Sequence, residues 1–449
     1  MKVRDGFGKT RVKLTVRVPA GQAETARHGQ KSLELYSGRV QRDLKWVEFA
    51  ELSGLFFLNN MAMGCWMVPM GNLLASHGLA SLVPFAFATS ACAAFVSPLV
   101  FGAMADRHVA PVRVMRWLAI AASAAAALGA TAIHFNCGFW TVLAAIQLYA
   151  LCQAPTSSIG TSIVLGRLND PQRQFGPVRS LGTVGWMVGC WLISGLGADS
   201  SPVALYAASA TWAVVALFTR WLPSPEPPKS AEGLTLRQRL GLDALSLLKV
   251  GDHRVVFLAA ALFSIPLAAF YPYTPSHLRD LGLQHTAAWM TLGQITEIIA
   301  MLILSRVLAR WRLKWALAAG LGCGLLRYAF YCFDNTPWVL AGLTLHGFTY
   351  TFFFITGQIY LDQRVPGEWR VRAQALYSLM TSGVGNLLGY LGTGMWFRFC
   401  HAPGTGRADW ILFWGGLDAA VAAVAIFFLL AYHGRPHAPA QRGNTASAA

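Results

Sequence analysis

Residues 287–304 read Ala-Ala-Trp-Met-Thr-Leu-Gly-Gln294-Ile-Thr-Glu297-Ile-Ile-Ala-Met-Leu-Ile-Leu. A helix across a hydrocarbon layer roughly 30 Å thick takes about 20 mostly apolar residues, and this run approaches that length with a single ionisable group. Gln294 and Glu297, three positions apart, fall on one helix face. A carboxyl at mid-bilayer costs at least ~2.5 kcal/mol, so it faces a cavity or a partner rather than lipid. The stretch therefore specifies a membrane span and, with it, a polar interior for the span to face.

The rest of the chain repeats the pattern. Of 449 residues, 55% are hydrophobic and only 12% charged, where a soluble domain carries roughly a quarter charged. Apolar blocks predict spans near 47–75, 79–104, 111–133, 139–166, 176–198 and 203–222, then near 254–279, 285–310, 312–333, 337–361, 369–399 and 408–432. The longest break opens with Pro223, Pro225, Pro227 and Pro228, which cannot continue a helix. The expected fold is an all-α polytopic membrane protein of twelve transmembrane helices in two pseudo-symmetric six-helix bundles. Its parts are a basic arm over 1–45, a bundle over 46–222, a linker over 223–253, a second bundle over 254–433 and a tail over 434–449. Within the linker, Leu234, Leu236, Leu240, Leu242, Leu245 and Leu248 interleave with charges, a spacing for an amphipathic helix along the membrane face.

The formal net charge of +16 does not point to nucleic acid, because of where the charges fall. All but four of the 36 Lys and Arg lie in the arm, in alternate loops or adjoining span ends, or in the tail; the four are Arg279, Arg398, Arg407 and the intraspan Arg327. By the positive-inside rule both termini are cytoplasmic, and the expected location is the inner membrane. The arm has no apolar core of a secretory signal. The eight cysteines are scattered without a CxxC pair, so they read as buried thiols, and no metal or cofactor is expected. With no nucleophile and base pair and no phosphate-cradling loop, the chain does not read as an enzyme.

Charged and polar groups within the spans mark the candidate site. Arg179, Thr183 and Trp186 follow at i, i+4 and i+7, placing a cation, a hydroxyl and an aromatic plate on one face of span 5; Arg179 could instead snorkel to the interface. Burial penalises the ionised form of Glu297, so that carboxyl could take and release a proton; its structural alternative is a static pair with Arg327 on span 9. Span 10 brings His346 and Tyr350, again i and i+4, and histidine titrates in the physiological range. Gly182, Gly185, Gly189, Gly383, Gly385, Gly389 and Gly392 read as close-packing positions. Between spans 2 and 3, Gly102, Asp106 and Arg107 form a turn of a glycine, an acid and basic residues.

That turn resembles the cytoplasmic loop signature of the major facilitator superfamily. Phe175-Gly-Pro-Val-Arg179-Ser-Leu-Gly-Thr183-Val-Gly, Leu240-Gly-Leu-Asp243-Ala-Leu-Ser-Leu-Leu-Lys249 and Gln294-Ile-Thr-Glu297 are similar to segments of its nucleoside:proton symporter family, over about residues 47–432. The resemblance implies that Arg179, Thr183, Gln294 and Glu297 contact the substrate, with Trp186 in the place of another aromatic. Where that family has amides on span 7, this chain has Ala268 and Tyr271, and its Tyr and Asp on span 10 are His346 and Thr351. Oligosaccharide:proton symporters of the lactose permease type are a second resemblance, through Arg179, Trp186, Glu297, Arg327 and His346. Their acid on span 4 is missing here, as is their acid just after the histidine.

The expected function is proton-coupled import of a small polyhydroxylated solute, a nucleoside or close analogue, by alternating access across a lipid bilayer. Arg179, Thr183, Trp186, Tyr271, Gln294, Glu297, His346 and Tyr350 would bind it, and Glu297, His346 and Arg327 would handle the proton. A sugar:proton symporter and a non-transporting membrane sensor of the same fold are the rival expectations.

Overall fold

The computed structural model describes residues 46–106, 109–223, 235, 237, 242–401 and 408–434. The arm over 1–45, most of the linker and tail, and Arg107 lie outside the described residues, as does the side chain of Asp106. The helical rods follow the predicted spans. Trp46–Met67 and Met70–Ser76 form the first, followed by Val83–Asp106, Pro111–His134, Phe139–Leu165, Pro171–Gly195 and Val203–Phe218. Gly251–Leu267 with Phe270–Asp280 forms the seventh, and Thr286–Arg310 and Leu313–Tyr331 the eighth and ninth. The tenth runs from Thr336 to Arg364, the eleventh from Arg370 to Phe399, and Trp410–Ala431 closes the series. Among the described residues, six rods are long and apolar enough to cross a membrane by length and composition. The others are shortened by breaks or diluted by polar residues, as at Gln172, Arg173 and Gln174 in the fifth.

Spans 1 and 7 hold corresponding places in the two sets of six, and both are broken. Pro69 sits at the first break and Pro266 just before the second; proline lacks the N–H that would continue the ladder and clashes with the preceding turn. The short helices beyond the breaks meet backbone to backbone, since a Cβ on Gly71 would lie 2.5 Å from the Pro272 carbonyl oxygen. Spans 10 and 11 carry a second matched pair of irregularities, π turns at Tyr350–Ile355 and Leu379–Gly385. A π turn inserts a residue into the helical ladder and rotates the turns beyond it, so the facing of residues after Tyr350 changes, while up to that point the ladder is regular and the Tyr350 N–H bonds the His346 carbonyl. His346 is 7% exposed and Tyr350 39%. They share a span without sharing a setting.

Buried apolar residues form two clusters. One gathers Leu55, Phe87, Tyr149 and Trp212 of the first six spans, the other Phe257, Phe263, Tyr328 and Trp414 of the last six. Leu302, Met395 and Leu430 stay exposed on the outside of the bundle, the placement expected of side chains that face hydrocarbon. Glycines set two close approaches that matter for the site. A Cβ on Gly185 would strike the Phe57 carbonyl, which lets span 5 press against span 1, and one on Gly347 would strike the backbone nitrogen of Glu297, which lets span 10 press against span 8. The described part of the linker, Leu242–Lys249, is a 3₁₀ helix rather than a regular α-helix. Asp243 Oδ2 pairs with Arg372 Nη1 at 3.0 Å, tying the linker to the start of span 11.

Candidate functional site

Spans 5, 7, 8, 9 and 10 bring most of the expected residues into one row. Arg327 is fully buried, and its Nη1 donates to Nδ1 of His346 at 2.8 Å. The imidazole stacks on Phe270 with ring centroids 3.8 Å apart and 5° between planes. Tyr271 meets His346 edge-on at 6.2 Å and faces Trp186 of span 5 at 5.8 Å. Gln294 Nε2 donates to the Tyr271 hydroxyl at 3.3 Å. Ring contacts therefore run from Phe270 and His346 through Tyr271 to Trp186, crossing from the last six spans to the first six.

Along this row several polar atoms are buried without a partner among the described residues: Trp186 Nε1, Gln294 Oε1 and, behind them, Arg327 Nε and Nη2. Buried polar atoms are nearly always paired, so the first two leave one donor and one acceptor unused at the seam between spans 5, 7 and 8, called the crevice below. Glu297 is half-buried, and among the described residues no hydrogen bond or ion pair engages its carboxylate. The alternative of a static Glu297–Arg327 pair is not what forms, because Arg327 turns to His346 instead. Arg179 is exposed, while Thr183 and Trp186 are half-buried. Its guanidinium acts electrostatically on Glu297 and Tyr350, although no ion pair joins them among the described residues.

Two groups escaped the sequence reading. Asp418, in the middle of span 12, has Oδ1 buried without a partner; its signal was a lone acid after Gly415 and Gly416 in an otherwise apolar run. The other is a junction at the end of the bundle opposite Trp46 and Ala431. There Asp199 Oδ1 accepts from Ala287 N at 2.6 Å, from Ser194 Oγ at 3.0 Å and from Thr286 Oγ1 at 3.3 Å. Asn72 Nδ2 donates to Thr286 Oγ1 and to the Pro275 carbonyl, each at 3.2 Å, and Ser276 Oγ donates to Asn72 Oδ1 at 2.9 Å. His285 Nδ1 donates to the Ser194 carbonyl at 2.7 Å, and one turn deeper Trp191 Nε1 donates to Thr291 Oγ1 at 3.1 Å. Asp199 thus caps the N-terminus of span 8 from the other set of six, a favourable place for a carboxylate. Nothing in the sequence distinguishes it from an ordinary loop acid.

With this geometry in hand, known proteins can be compared. The model of a family described as "Nucleoside H+ symporter" matches residues 48–437. The Escherichia coli K12 protein YegT, provisionally named a nucleoside transporter, is 32% identical over 85% of this chain and 93% of its own length. Nucleoside permease NupG of the same organism is 24% identical over 81% of this chain and 91% of itself. In fold, a crystal structure of nucleoside transporter NupG, determined on a mutant, superimposes with a TM-score of 0.80 at 22% identity, covering 86% of this chain and all of that one. A second NupG crystal structure gives 0.77 at 23% identity, covering 86% of this chain and 98% of that one. The fold is the major facilitator fold expected from the spans. Matched over nearly all of its spans, the chain belongs to the nucleoside H+ symporter family.

Proposed function

We propose that this chain carries nucleosides or close analogues across the membrane together with protons, by alternating access. It is a transporter and not an enzyme, in keeping with the family it belongs to. The observation that carries the reading is the half-buried Glu297, without a partner among the described residues, beside an aromatic row whose Trp186 N–H and Gln294 carbonyl are likewise unpartnered there. A flat base would stack on the aromatic row at Trp186 or Tyr271, where ring faces offer about 0.5–1.5 kcal/mol per contact beyond area burial. Ribose hydroxyls would bond Gln294, Glu297 and Thr183, with Arg179 and Tyr350 at the mouth of the crevice. Glu297 would carry the proton: protonated, it is a donor to the solute; ionised, it is an acceptor that must be resolvated or paired.

Alternating access supplies the rest. The Asp199 and Asn72 junction closes one end of the crevice, while Arg179 is exposed on the side of the chain termini. With the termini cytoplasmic, as the loop charges predict, this is the state open to the cytoplasm. A sugar is the less fitting cargo, because each buried hydroxyl left unpaired costs roughly 1–3 kcal/mol and this crevice is rich in rings but carries few charges.

Uptake of labelled uridine and adenosine into cells lacking their own nucleoside transporters, with and without a protonophore, tests the reading. Accumulation that collapses with the gradient, and competes with nucleosides but not with lactose or melibiose, is the expected result. Competition by the disaccharides alone would overturn it.

A further inference from the structure

Arg327 is difficult to account for as a stabilising residue. It is fully buried, its guanidinium lies 4.5 Å from the ring centroid of Tyr328 and 5.1 Å from that of Phe270, and Nε and Nη2 have no partner. An apolar side chain of similar volume would fill the place without burying a charge. Its Nη1 donates to His346 Nδ1 at 2.8 Å. Arginine has five N–H donors and no acceptor, so this contact requires a lone pair on Nδ1. The ring proton of the neutral imidazole is then on Nε2.

We propose that Arg327 is a positioning residue that fixes His346 as a neutral Nε2–H donor toward the solute, leaving the symported proton to Glu297 alone. This rests on the nucleoside:proton symport reading of the same crevice. Protonating Nδ1 would set two donors and two positive charges against each other at hydrogen-bond distance, and Arg327 cannot swing into water because aromatic rings and span 10 enclose it. The stacked Phe270 holds the imidazole plane from the other side. The titratable and charged groups facing the ring are Arg327 of span 9 and Tyr271 of span 7; Glu297 of span 8 and Tyr350 of span 10 act on Tyr271, and Asp418 of span 12 acts on Tyr328. No described hydrogen bond uses His346 Nε2, and the ring edge lies against Gly293 beside the crevice. An N–H there matches a ribose oxygen or a base carbonyl.

The test has an arm that needs no solute. In ¹⁵N-histidine-labelled protein in nanodiscs, with the His346 signals assigned by difference against His346→Gln, Nδ1 should stay unprotonated and Nε2 protonated from about pH 8 to about pH 5. A His346 that becomes imidazolium in that range, or carries its proton on Nδ1, overturns the proposal. In transport, His346→Gln keeps a neutral N–H and cannot titrate, so KM for uridine should rise by about threefold while accumulation still collapses with a protonophore, whereas His346→Phe, without the N–H, should raise KM by about tenfold with coupling intact. Loss of accumulation in His346→Gln with exchange preserved would make His346 the proton carrier and sink the idea. Arg327→Gln should add an acid limb to the pH profile near the ordinary histidine range, about 6.5, and Arg327→Gln/His346→Gln should remove it. Arg327→Lys, which keeps the cation, covers the case in which Arg327→Gln fails to insert, and should show the parental profile; an acid limb there would also overturn the proposal. A parent chain that moves no nucleoside would instead defeat the symport reading and leave the NMR result standing.

Discussion

The closed end of the bundle and the crevice beneath it treat polar groups in opposite ways. At the junction, Asp199 Oδ1 accepts three hydrogen bonds and Asn72 both donates and accepts. In the crevice, Trp186 Nε1, Gln294 Oε1 and the Glu297 carboxylate have no partner among the described residues. A satisfied polar group holds a shape, because each net hydrogen bond contributes about 0.5–1.5 kcal/mol. An unsatisfied one is a standing penalty that a ligand can relieve. The junction is therefore built to hold two surfaces together and the crevice to be filled, and spans 5 and 8 contribute to both.

The largest effect should come from the crevice. Glu297→Gln keeps shape and hydrogen bonding but cannot exchange a proton, so accumulation should fall to the level seen without a gradient while counterflow of labelled uridine continues. Normal accumulation in this variant would remove Glu297 from the coupling role. Next comes the junction. Asp199→Ala removes the cap on span 8 and should shift the balance toward the state open on the other side by about tenfold, or 1.4 kcal/mol. Apparent KM for uptake should then fall, since more of the protein is competent to bind from outside, while kcat falls as reclosure weakens. A variant that is merely damaged would lose kcat with KM unchanged, which would contradict the assignment of this surface as a gate. Trp191→Phe removes a single rung and should give the same pattern at about a third of the size. The smallest effect is expected at Asp418, which is orphaned like the crevice groups but lies on the Tyr328 side of Arg327. Asp418→Asn should leave accumulation within about twofold, and a larger loss would mean that the polar interior extends to span 12.

Spans were legible because apolar length is a one-dimensional property, but the breaks in spans 1 and 7 were read through as continuous helix, although Pro69 and Pro266 lie at or just before them. Residues 294 and 297 were legible for the same reason, as exceptions inside an apolar run. Pairing across helices is the property a linear sequence does not express. Arg327 read as a candidate partner for Glu297, yet its geometry is set by Phe270 and His346, which come from two other spans. Tyr350 read as a neighbour of His346 on one face, and the helix between them is regular, but the packing that covers His346 and leaves Tyr350 39% exposed comes from other spans. Asp199 was invisible because its role depends on the backbone N–H groups of residues about 90 positions later. The loop motif at Gly102, Asp106 and Arg107 remains a reading of the sequence.

Gly347 has a consequence for heredity. It touches no solute and carries no polar side chain, yet the backbone at Thr296 and Glu297 rests where its Cβ would be. Any larger residue must pry span 10 from span 8 and separate the carboxyl from the imidazole. A single base change in that codon can thus abolish the protein's work without altering one functional group, and natural variants of this chain should be blank at position 347.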